Sequence, residues 1–281
     1  MSQKIYEMIF DRIEQAVEKD NLLPWQKPWA GSGIDPQNLV SKKPYRGINP
    51  FMLAVQGFAC PYWLTYKQAK KLKGSVRKGE KGTPVIFWKW IDKEDQDGSI
   101  KRFPILRYYT VFNAVQCDDI DYPKPELKDI PAIEACEKLV AGMPNKPKVE
   151  HGQTGAFYRP STDSIGMPDR GHFIDAEKYY STLFHELTHS TGHDGRLGRH
   201  TKEKTSHRFG TKDYSKEELV AEMGAAFLCG KTGIENKTID NSAAYIKNWM
   251  KRLKNNKKWL VHAAAQAQKS TDYILGVTFN D

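Results

Sequence analysis

The sequence predicts an α+β protein built of two domains. Its 281 residues are enough for two domains of ordinary size. Patterns typical of helices and of strands occur in both halves of the chain. Between residues 117 and 131 the composition turns acidic and rich in proline, as in the linkers that join domains. We therefore expect one domain over residues 1–130 and a second over residues 131–281.

The first half begins with a predicted helix and a long loop. An apolar residue recurs every four positions from Ile5 to Val17, which indicates a helix over residues 3–19. The stretch LPWQKPWAGSGIDPQNLVSKKPYRGINP is too rich in Pro, Gly and Asn for regular elements. It predicts an ordered loop pinned by Trp25 and Trp29.

A helix and two strands are predicted after this loop. WLTYKQAKKLKG indicates a helix that ends at Gly74. The apolar runs TPVIFWKWI and FPILRYYTVFNA predict strands, and the charged segment between them predicts an exposed hairpin tip.

The second half predicts mainly helices. PAIEACEKLVAGM indicates a short helix, and GAFYRPSTDSIGMP a strand with a turn near Thr162 and Asp163. AEKYYSTLFHELTHSTG predicts a helix that Gly192 can end, and KEELVAEMGAAFLCGKTG predicts another. Residues 242–275 predict one or two long helices.

The segment HELTH predicts a metal site. His185 and His189 are four residues apart on a predicted helix, so both imidazoles leave the same face. Glu186 is rotated toward the space in front of them, where a general base is needed. The pattern indicates a hydrolytic site for Zn²⁺ or another divalent transition metal. We interpret His193, which follows Gly192, as a loop histidine rather than a ligand.

A catalytic zinc takes three protein ligands, so a third donor must come from another segment. KEELVAEMGAAFL predicts a helix with Glu218 and Glu222 on one face, and its small residues let it lie close to another helix. One carboxylate can bind the metal while the other hydrogen-bonds a ligand histidine. The arrangement resembles the gluzincin pattern, which implies Glu218 as the ligand and Glu222 as the supporting acid. The reverse assignment stays open.

Such a site indicates peptide-bond hydrolysis. Glu186 would take a proton from water and return it to the leaving nitrogen. Tyr214 and Tyr158 are the candidate donors to the oxyanion. The strand AFYRPSTDSIGMP is a candidate edge for pairing with an extended peptide.

The positive charge of the chain is concentrated in its first third. Residues 40–90 contain eleven Lys or Arg and one acidic residue, giving this window +10 in a chain of net charge +9. Aromatic residues are interleaved with these cations, a combination that suits single-stranded nucleic acid, since rings stack on bases and cations track phosphates. The candidate DNA-binding residues are Trp25, Trp29, Lys43, Tyr45, Arg46, Asn49, Trp63, Tyr66, Lys67, Lys78, Lys81, Trp88 and Lys89.

We expect the protein to be cytoplasmic and to have no membrane partner. Its N-terminal segment has no uninterrupted apolar region. No stretch approaches the ~18 apolar residues that a membrane span needs.

Several of these segments together resemble the ArdC antirestriction family. They are PWQKPW, NLVSKKPYRGIN, WLTYKQAKKLKGSVRKGEKG, VIFWKW, FYRPSTDSIGMP, YYSTLFHELTHSTGH and EELVAEMGAAFL. The resemblance covers nearly the whole chain. It implies a single-stranded-DNA-binding domain like that of plasmid primases, followed by a zincin-like metallopeptidase domain.

The resemblance also implies that the protein comes from a mobile element and protects incoming DNA from host restriction. Because DNA mimics must be strongly acidic and this chain is basic, it should bind DNA rather than imitate it. Three hypotheses follow: a DNA-bound metallopeptidase that cleaves a host protein, a DNA-binding protector whose zincin site is structural or inactive, and a primase-associated accessory protein.

Overall fold

The computed structural model describes residues 2–20, 23–26, 35–58, 60–94, 100–123, 132–202, 212–234, 236 and 243–277. Their helices are α1 Ser2–Asp20, α2 Asn49–Ala54, α3 Tyr66–Lys71, α4 Ala132–Gly142, α5 Ala176–Ser190, α6 Arg199–Lys202, α7 Lys212–Thr232, α8 Ala243–Asn255 and α9 Lys258–Ile274. Their strands are β1 Gln37–Asn38, β2 Tyr62–Leu64, β3 Ser75–Val76, β4 Thr83–Glu94, β5 Ile100–Asn113, β6 Cys117–Asp118, β7 Lys148–Glu150, β8 Phe157–Arg159 and β9 Ser164–Gly166. This mixture confirms the predicted α+β class.

The first half is built around the long antiparallel pair β4 and β5. Their register runs from Thr83 opposite Val111 to Glu94 opposite Ile100, within a sheet of order β1-β2-β5-β4. Helix α1 buries its predicted apolar stripe and packs against β5. The predicted helix and strand pair are therefore present, and the segment between the strands lies outside the described residues. The segment predicted as a loop contains strand β1 and the start of α2, and its residues 27–34 lie outside the described residues.

Two boundaries in this half differ from the prediction. The helix expected to begin near Trp63 begins at Tyr66, because the side chain of Thr65 caps it by accepting from the Gln68 amide. Trp63 belongs instead to strand β2. The predicted linker also begins later than Cys117, because Cys117 pairs with Val76 between β6 and β3. The domain boundary expected near residue 130 lies outside the described residues.

The second half consists of helices around a small sheet of order β7-β9-β8. The predicted helices are present as α4, α5, α7, α8 and α9. Strands β8 and β9 form a hairpin whose turn contains Thr162 and Asp163, as predicted. Helix α7 packs against both α5 and α9, which makes it the central element of this half.

One apolar core joins the two halves. It combines residues of α1, α2 and β5 with residues of α7, α8 and α9. Phe51 stacks on Phe227 with ring centroids 4.7 Å apart, and the Arg46 guanidinium pairs with the Asp272 carboxylate. The buried Trp25 donates its indole N–H to Glu222 Oε2 at 2.9 Å. The orientation of α7 is thus fixed by contacts from both halves.

No helix in the part of the chain that the structure describes is both long and apolar enough to cross a membrane.

Candidate metal centre and nucleic-acid interface

Helix α5 presents the HELTH segment. It begins where the Asp175 side chain accepts a hydrogen bond from the Lys178 amide at 2.7 Å, and it ends at Ser190. The next residues, Thr191 and Gly192, form a turn. His185, Glu186 and His189 therefore occupy the last turns of one regular helix, in which the two imidazoles face the same side.

A glycine brings α7 close enough to α5 to complete the site. A Cβ atom on Gly224 would lie 2.4 Å from Thr188 Cγ2, closer than a real Cβ approaches a neighbour. Ala221 and Ala225 are fully buried on the same helix. The small residues noted in the sequence thus allow the close helix packing that was predicted.

Three side chains converge between the two helices. His185 Nε2 lies 3.1 Å from His189 Nε2, and Glu218 carboxylate oxygens lie 3.5 Å from His185 Nε2 and 3.4 Å from His189 Nε2. These residues are also the group of potential metal ligands found among the described residues. Ligands around a tetrahedral zinc are about 3.3–3.6 Å apart. The residues present therefore fit a divalent metal, with the two Nε2 atoms and one Glu218 oxygen as ligands.

The electrostatics of this group favour a cation. Burial acts to raise the pKa of Glu218, but the His185 and His189 imidazoles outweigh it and hold that pKa well below its usual value. Burial acts to lower the pKa of His189, but the Glu217 and Glu218 carboxylates outweigh it and raise that pKa well above its usual value. A deprotonated carboxylate therefore faces rings that attract positive charge, which a metal can supply in place of a proton.

Glu217 supports this group and was missed by the sequence analysis. Its Oε1 lies 3.5 Å from His189 Nδ1, the ring atom that points away from Glu218. Arg199 donates to both Glu217 carboxylate oxygens, at 2.7 and 3.2 Å, and also donates to Thr191 and Ser270. The carboxylate is thereby held in place to orient the His189 ring.

Glu222 does not take the role that the sequence suggested. Its carboxylate accepts hydrogen bonds from the indole N–H groups of Trp25 and Trp249, at 2.9 and 3.2 Å, and from the Tyr245 hydroxyl. Burial raises its pKa to about 8. Since the four residues from Glu218 to Glu222 rise about 6 Å along the axis, Glu222 lies beyond the two histidines. The structure thus assigns it to the contact between the two halves.

A cavity of about 420 Å³ lies in front of the three candidate ligands. The buried Glu186 lines it, as the predicted general-base role requires. Tyr158 also lines it, but its hydroxyl donates to Asp163 Oδ1 at 2.9 Å and is already engaged. The Tyr214 side chain lies outside the described residues. His193 accepts from the Gly195 amide in the turn after α5, as expected for a loop histidine.

His200 is a further cavity residue that no sequence signal indicated. Its imidazole lies against Gly192, where a Cβ atom would come within 2.2 Å of His200 Nε2. That nitrogen lies 3.5 Å from Glu217 Oε1. Because Gly192 has no side chain, the His200 imidazole can pack against it and line the cavity.

Several candidate DNA-binding residues are buried and serve the fold instead. Trp25 and Trp63 are 0% and 2% exposed, and Tyr45 is buried as well. Asn49 forms two hydrogen bonds of 2.8 Å with the Ile86 backbone. None of these four side chains can stack on a base or reach a phosphate in this fold. Arg46 is partly exposed but pairs with Asp272.

The other candidates lie on the surface, except that Trp29 is outside the described residues. The exposed ones are Lys43, Tyr66, Lys67, Lys78, Lys81, Trp88 and Lys89. Strands β4 and β5 add exposed rings that the sequence analysis did not select, namely Phe87, Trp90, Phe103, Tyr108 and Tyr109. Alternation places Trp88 and Trp90 on one face of this hairpin, and Phe87 and Lys89 on the other. Exposed aromatic rings are therefore concentrated on the β4–β5 hairpin.

Comparisons with known families divide the chain in two. Residues 3–112 match the family described as the N-terminal domain of anti-restriction factor ArdC. Residues 134–266 match the family described as zincin-like metallopeptidase. These matches confirm the predicted two-domain organisation.

Individual relatives extend over nearly the whole chain. Two crystal structures of the antirestriction ArdC protein from plasmid R388, metal-free and Mn(II)-bound, share 37% and 36% identity with it, with TM-scores of 0.76 and 0.75 and 96% of this chain covered. They are covered over 96% and 97% of their own length. The uncharacterized protein y4eC of Sinorhizobium fredii is 35% identical over 96% of this chain and 91% of its own length.

Two proteins described as DNA primase TraC, both from Escherichia coli, are 37% and 36% identical over 98% and 96% of this chain. The chain spans only 27% and 20% of the length of those primases.

The metal affinities of variants at three glutamates should distinguish the metal ligand from the residues that only support the site. Glu218→Ala should leave the site without metal at sub-stoichiometric metal concentrations, because it removes a donor atom. Glu217→Gln should weaken metal affinity by roughly 10–100-fold, because the His189 ring loses its carboxylate partner. Glu222→Gln should leave the affinity unchanged. Elemental analysis and competition with a chelator measure these effects; loss of metal with Glu222→Gln and retention with Glu217→Gln would reverse the assignment.

Proposed function

This chain belongs to the ArdC antirestriction family, and on that premise we propose that it protects DNA transferred by a mobile element from host restriction. In this proposal the first domain binds single-stranded DNA, and the second carries a metal-dependent peptidase-type site that acts on a host protein. The observation that carries the proposal is the pairing, in one chain, of the His185, His189 and Glu218 donor group with an exposed aromatic hairpin in a basic domain.

The charge of the chain supports binding to DNA over imitation of DNA. A protein that competes for restriction enzymes by resembling DNA must present a dense negative surface, whereas this chain has a net charge of +9. The cations of residues 40–90 favour a phosphate backbone. The similarity of this region to part of the DNA primases TraC agrees with a nucleic-acid partner.

The β4–β5 hairpin supports a single strand over a duplex. Trp88 and Trp90 are 44% and 53% exposed, and Arg102 lies 5.4 Å from the Trp90 ring centroid. Base stacking on such rings contributes ~1–3 kcal/mol per base, and only unpaired bases offer their faces. The exposed Lys78 and Lys81 lie at the start of β4, where they can contact phosphates.

The second domain has the parts of a peptidase. When bound, a divalent metal lowers the pKa of water and polarises a carbonyl group. Glu186, buried beside the donor group, can accept a proton and return it to the leaving nitrogen. Strand β8 is an edge of its sheet, and its residues Phe157 and Tyr158 line the cavity. An extended peptide that pairs with β8 would therefore pass in front of Glu186.

A DNA-binding protector with an inactive metal site is the second candidate function. The DNA-binding features, namely the β4–β5 rings and the cations of residues 40–90, belong to the first domain and do not include the metal ligands, which favours it. This chain also resembles both the metal-free and the Mn(II)-bound ArdC structures, with TM-scores of 0.76 and 0.75. The fold therefore resembles that of a relative solved without metal, and a purely structural requirement for metal is disfavoured. The Glu186 experiment below distinguishes the two functions.

The DNA proposal predicts separable contributions of rings and charges. In the full chain, Trp88→Ala should weaken binding to oligodeoxythymidylate by about 5–150-fold with little change in salt dependence, because a stacking contact is lost. Lys78→Ala with Lys81→Ala should reduce the slope of log affinity against log salt by about 1.4, because two phosphates lose their cations. Fluorescence anisotropy measures both effects.

Ile174→Ala serves as the matched control, because Ile174 is 86% exposed and lies outside the hairpin. This variant should bind like the unmodified protein. Equal affinity for single strands and blunt duplex, or an unchanged affinity of the Trp88→Ala variant, would refute the assignment of the hairpin.

The peptidase proposal predicts that Glu186→Gln abolishes restriction protection during DNA transfer. The substitution keeps the shape of the side chain and removes the proton acceptor. Metal content and affinity for single strands should stay at their original values, which shows that fold and DNA binding are intact. Full protection by this variant would establish the inactive-site alternative instead.

A further inference from the structure

A second cavity lies behind the metal centre, between α7 and α9. Its volume is about 400 Å³, within the range of small-ligand sites. Glu217 lines both this cavity and the one in front of the metal ligands. Nothing in the peptidase chemistry above uses it.

The walls of this cavity combine apolar and cationic groups. Leu219 and Val220 on α7 and Ala263 on α9 form a buried apolar floor. Lys216 and Lys269 lie at the rim, and Lys216 Nζ lies 5.3 Å from the Trp259 ring centroid. The one acidic group of the lining, Glu217, is paired with Arg199, so the cavity carries excess positive charge. This chemistry suits an anion with a flat apolar body.

The helices that border the cavity extend its positive charge. From Ala243 to Thr271 the chain has seven Lys or Arg and no Asp or Glu. Lys254 and Lys257 pair with Glu14 and Asp11 of α1. Lys247, Lys251, Lys258 and Lys269 are exposed. A polyanion that leaves the cavity along α8 and the part of α9 before Asp272 would therefore meet only positive or neutral side chains on these helices.

Individual cations of α1 lie between this surface and the aromatic hairpin. Lys258, one turn before His262 at the cavity, lies 6.0 Å from the Tyr6 ring centroid on α1. On the same helix, Lys4 lines a groove with Arg107 and Tyr108 of β5. Cationic side chains thus occur on α9, α1 and β5, although α1 also carries acidic residues.

We propose that the cavity between α7 and α9 is a second DNA site, which takes one nucleotide of a single strand whose neighbouring phosphates lie along α8 and α9. The base occupies the apolar floor beside Trp259, and Lys216 and Lys269 contact the phosphates. This inference rests on the proposed single-strand binding and extends it to the metallopeptidase domain. Bound DNA would then lie directly behind the Glu217 support of the metal centre.

Photo-cross-linking of the full chain to a 5-iodouracil-substituted oligodeoxythymidylate tests this site. Mass spectrometry should find cross-links to the peptide that contains Trp259 and His262, in addition to cross-links in the hairpin. Lys216→Ala with Lys269→Ala should reduce the α9 cross-link at least about tenfold and flatten the salt slope by about 1.4. The hairpin cross-links should persist in this variant.

The matched control is Lys138→Ala with Lys148→Ala, which removes the same charge from α4 and β7 and should leave the α9 cross-link unchanged. A reduced α9 cross-link in the control would show a general charge effect and overturn the site. Cross-links confined to the hairpin would overturn the site while leaving the proposed function intact, whereas failure of the unmodified chain to bind single strands would overturn both. Protection of Lys216 and Lys269 from reductive methylation by free dTMP, without an α9 cross-link to the strand, would assign the cavity to a free nucleotide instead.

Discussion

The burial of the Glu222 carboxyl group constrains the whole molecule. Burial raises the pKa of Glu222 to about 8, so the group is a neutral carboxyl at pH 7. Burying it still costs free energy unless hydrogen bonds replace those it had with the solvent. Here one donor is the Trp25 indole of the first domain, and the others are Trp249 and Tyr245 of the second. Separating the domains would remove one of these donors from a group that water does not reach. The two domains therefore form one structural unit.

Helix α7 transmits this constraint to the metal centre. Glu217 and Glu218 contact the histidines of α5, while Glu222, one turn after Glu218, contacts Trp25 of the first domain. The two environments move the carboxyl pKa values apart: nearby imidazoles lower that of Glu218, and burial raises that of Glu222 to about 8. A helix held at Glu222 by the first domain thus presents its metal ligand, Glu218, one turn earlier on the same face. The cavity behind Glu217 places a candidate DNA contact on this same helix.

Local sequence patterns predicted what depends on local geometry. The spacing of His185 and His189 fixes their common face, and the small residues around Gly224 predicted a close helix contact, which the structure shows against Thr188. The role of Glu222 was predicted wrongly. Its spacing from Glu218 shows that both side chains leave the same face of the helix, but it does not show which residues of other segments pack next to each of them. Glu217 and His200 escaped notice because their partners come from a separate segment, whose position only the tertiary fold determines.

The same limit explains the mixed outcome for the aromatic residues. Trp25 and Trp88 both lie among lysines and other aromatic residues in the sequence. Trp25 is nevertheless buried in the core shared by the two halves, whereas Trp88 is exposed on strand β4. Burial of a tryptophan depends on what packs over it, which a local window does not contain. The two strands themselves were predictable from their apolar runs. If they had been aligned as an antiparallel pair, the exposed rings of β5 would have joined the list of candidate DNA-binding residues.

The most direct test of the account is whether the two domains unfold as one unit through the Trp25 contact. Hydrogen exchange at increasing urea concentration, measured by mass spectrometry, follows peptides from β5 and from α7 separately in the metal-free full chain. The account predicts one shared midpoint. It also predicts that in a Trp25→Phe variant both midpoints fall together by the equivalent of about 1–3 kcal/mol, since the buried Glu222 carboxyl group loses a donor. Trp90→Phe, at an exposed ring, should leave both midpoints in place. Separate midpoints for β5 and α7, with Trp25→Phe shifting neither or only one of them, would contradict the account.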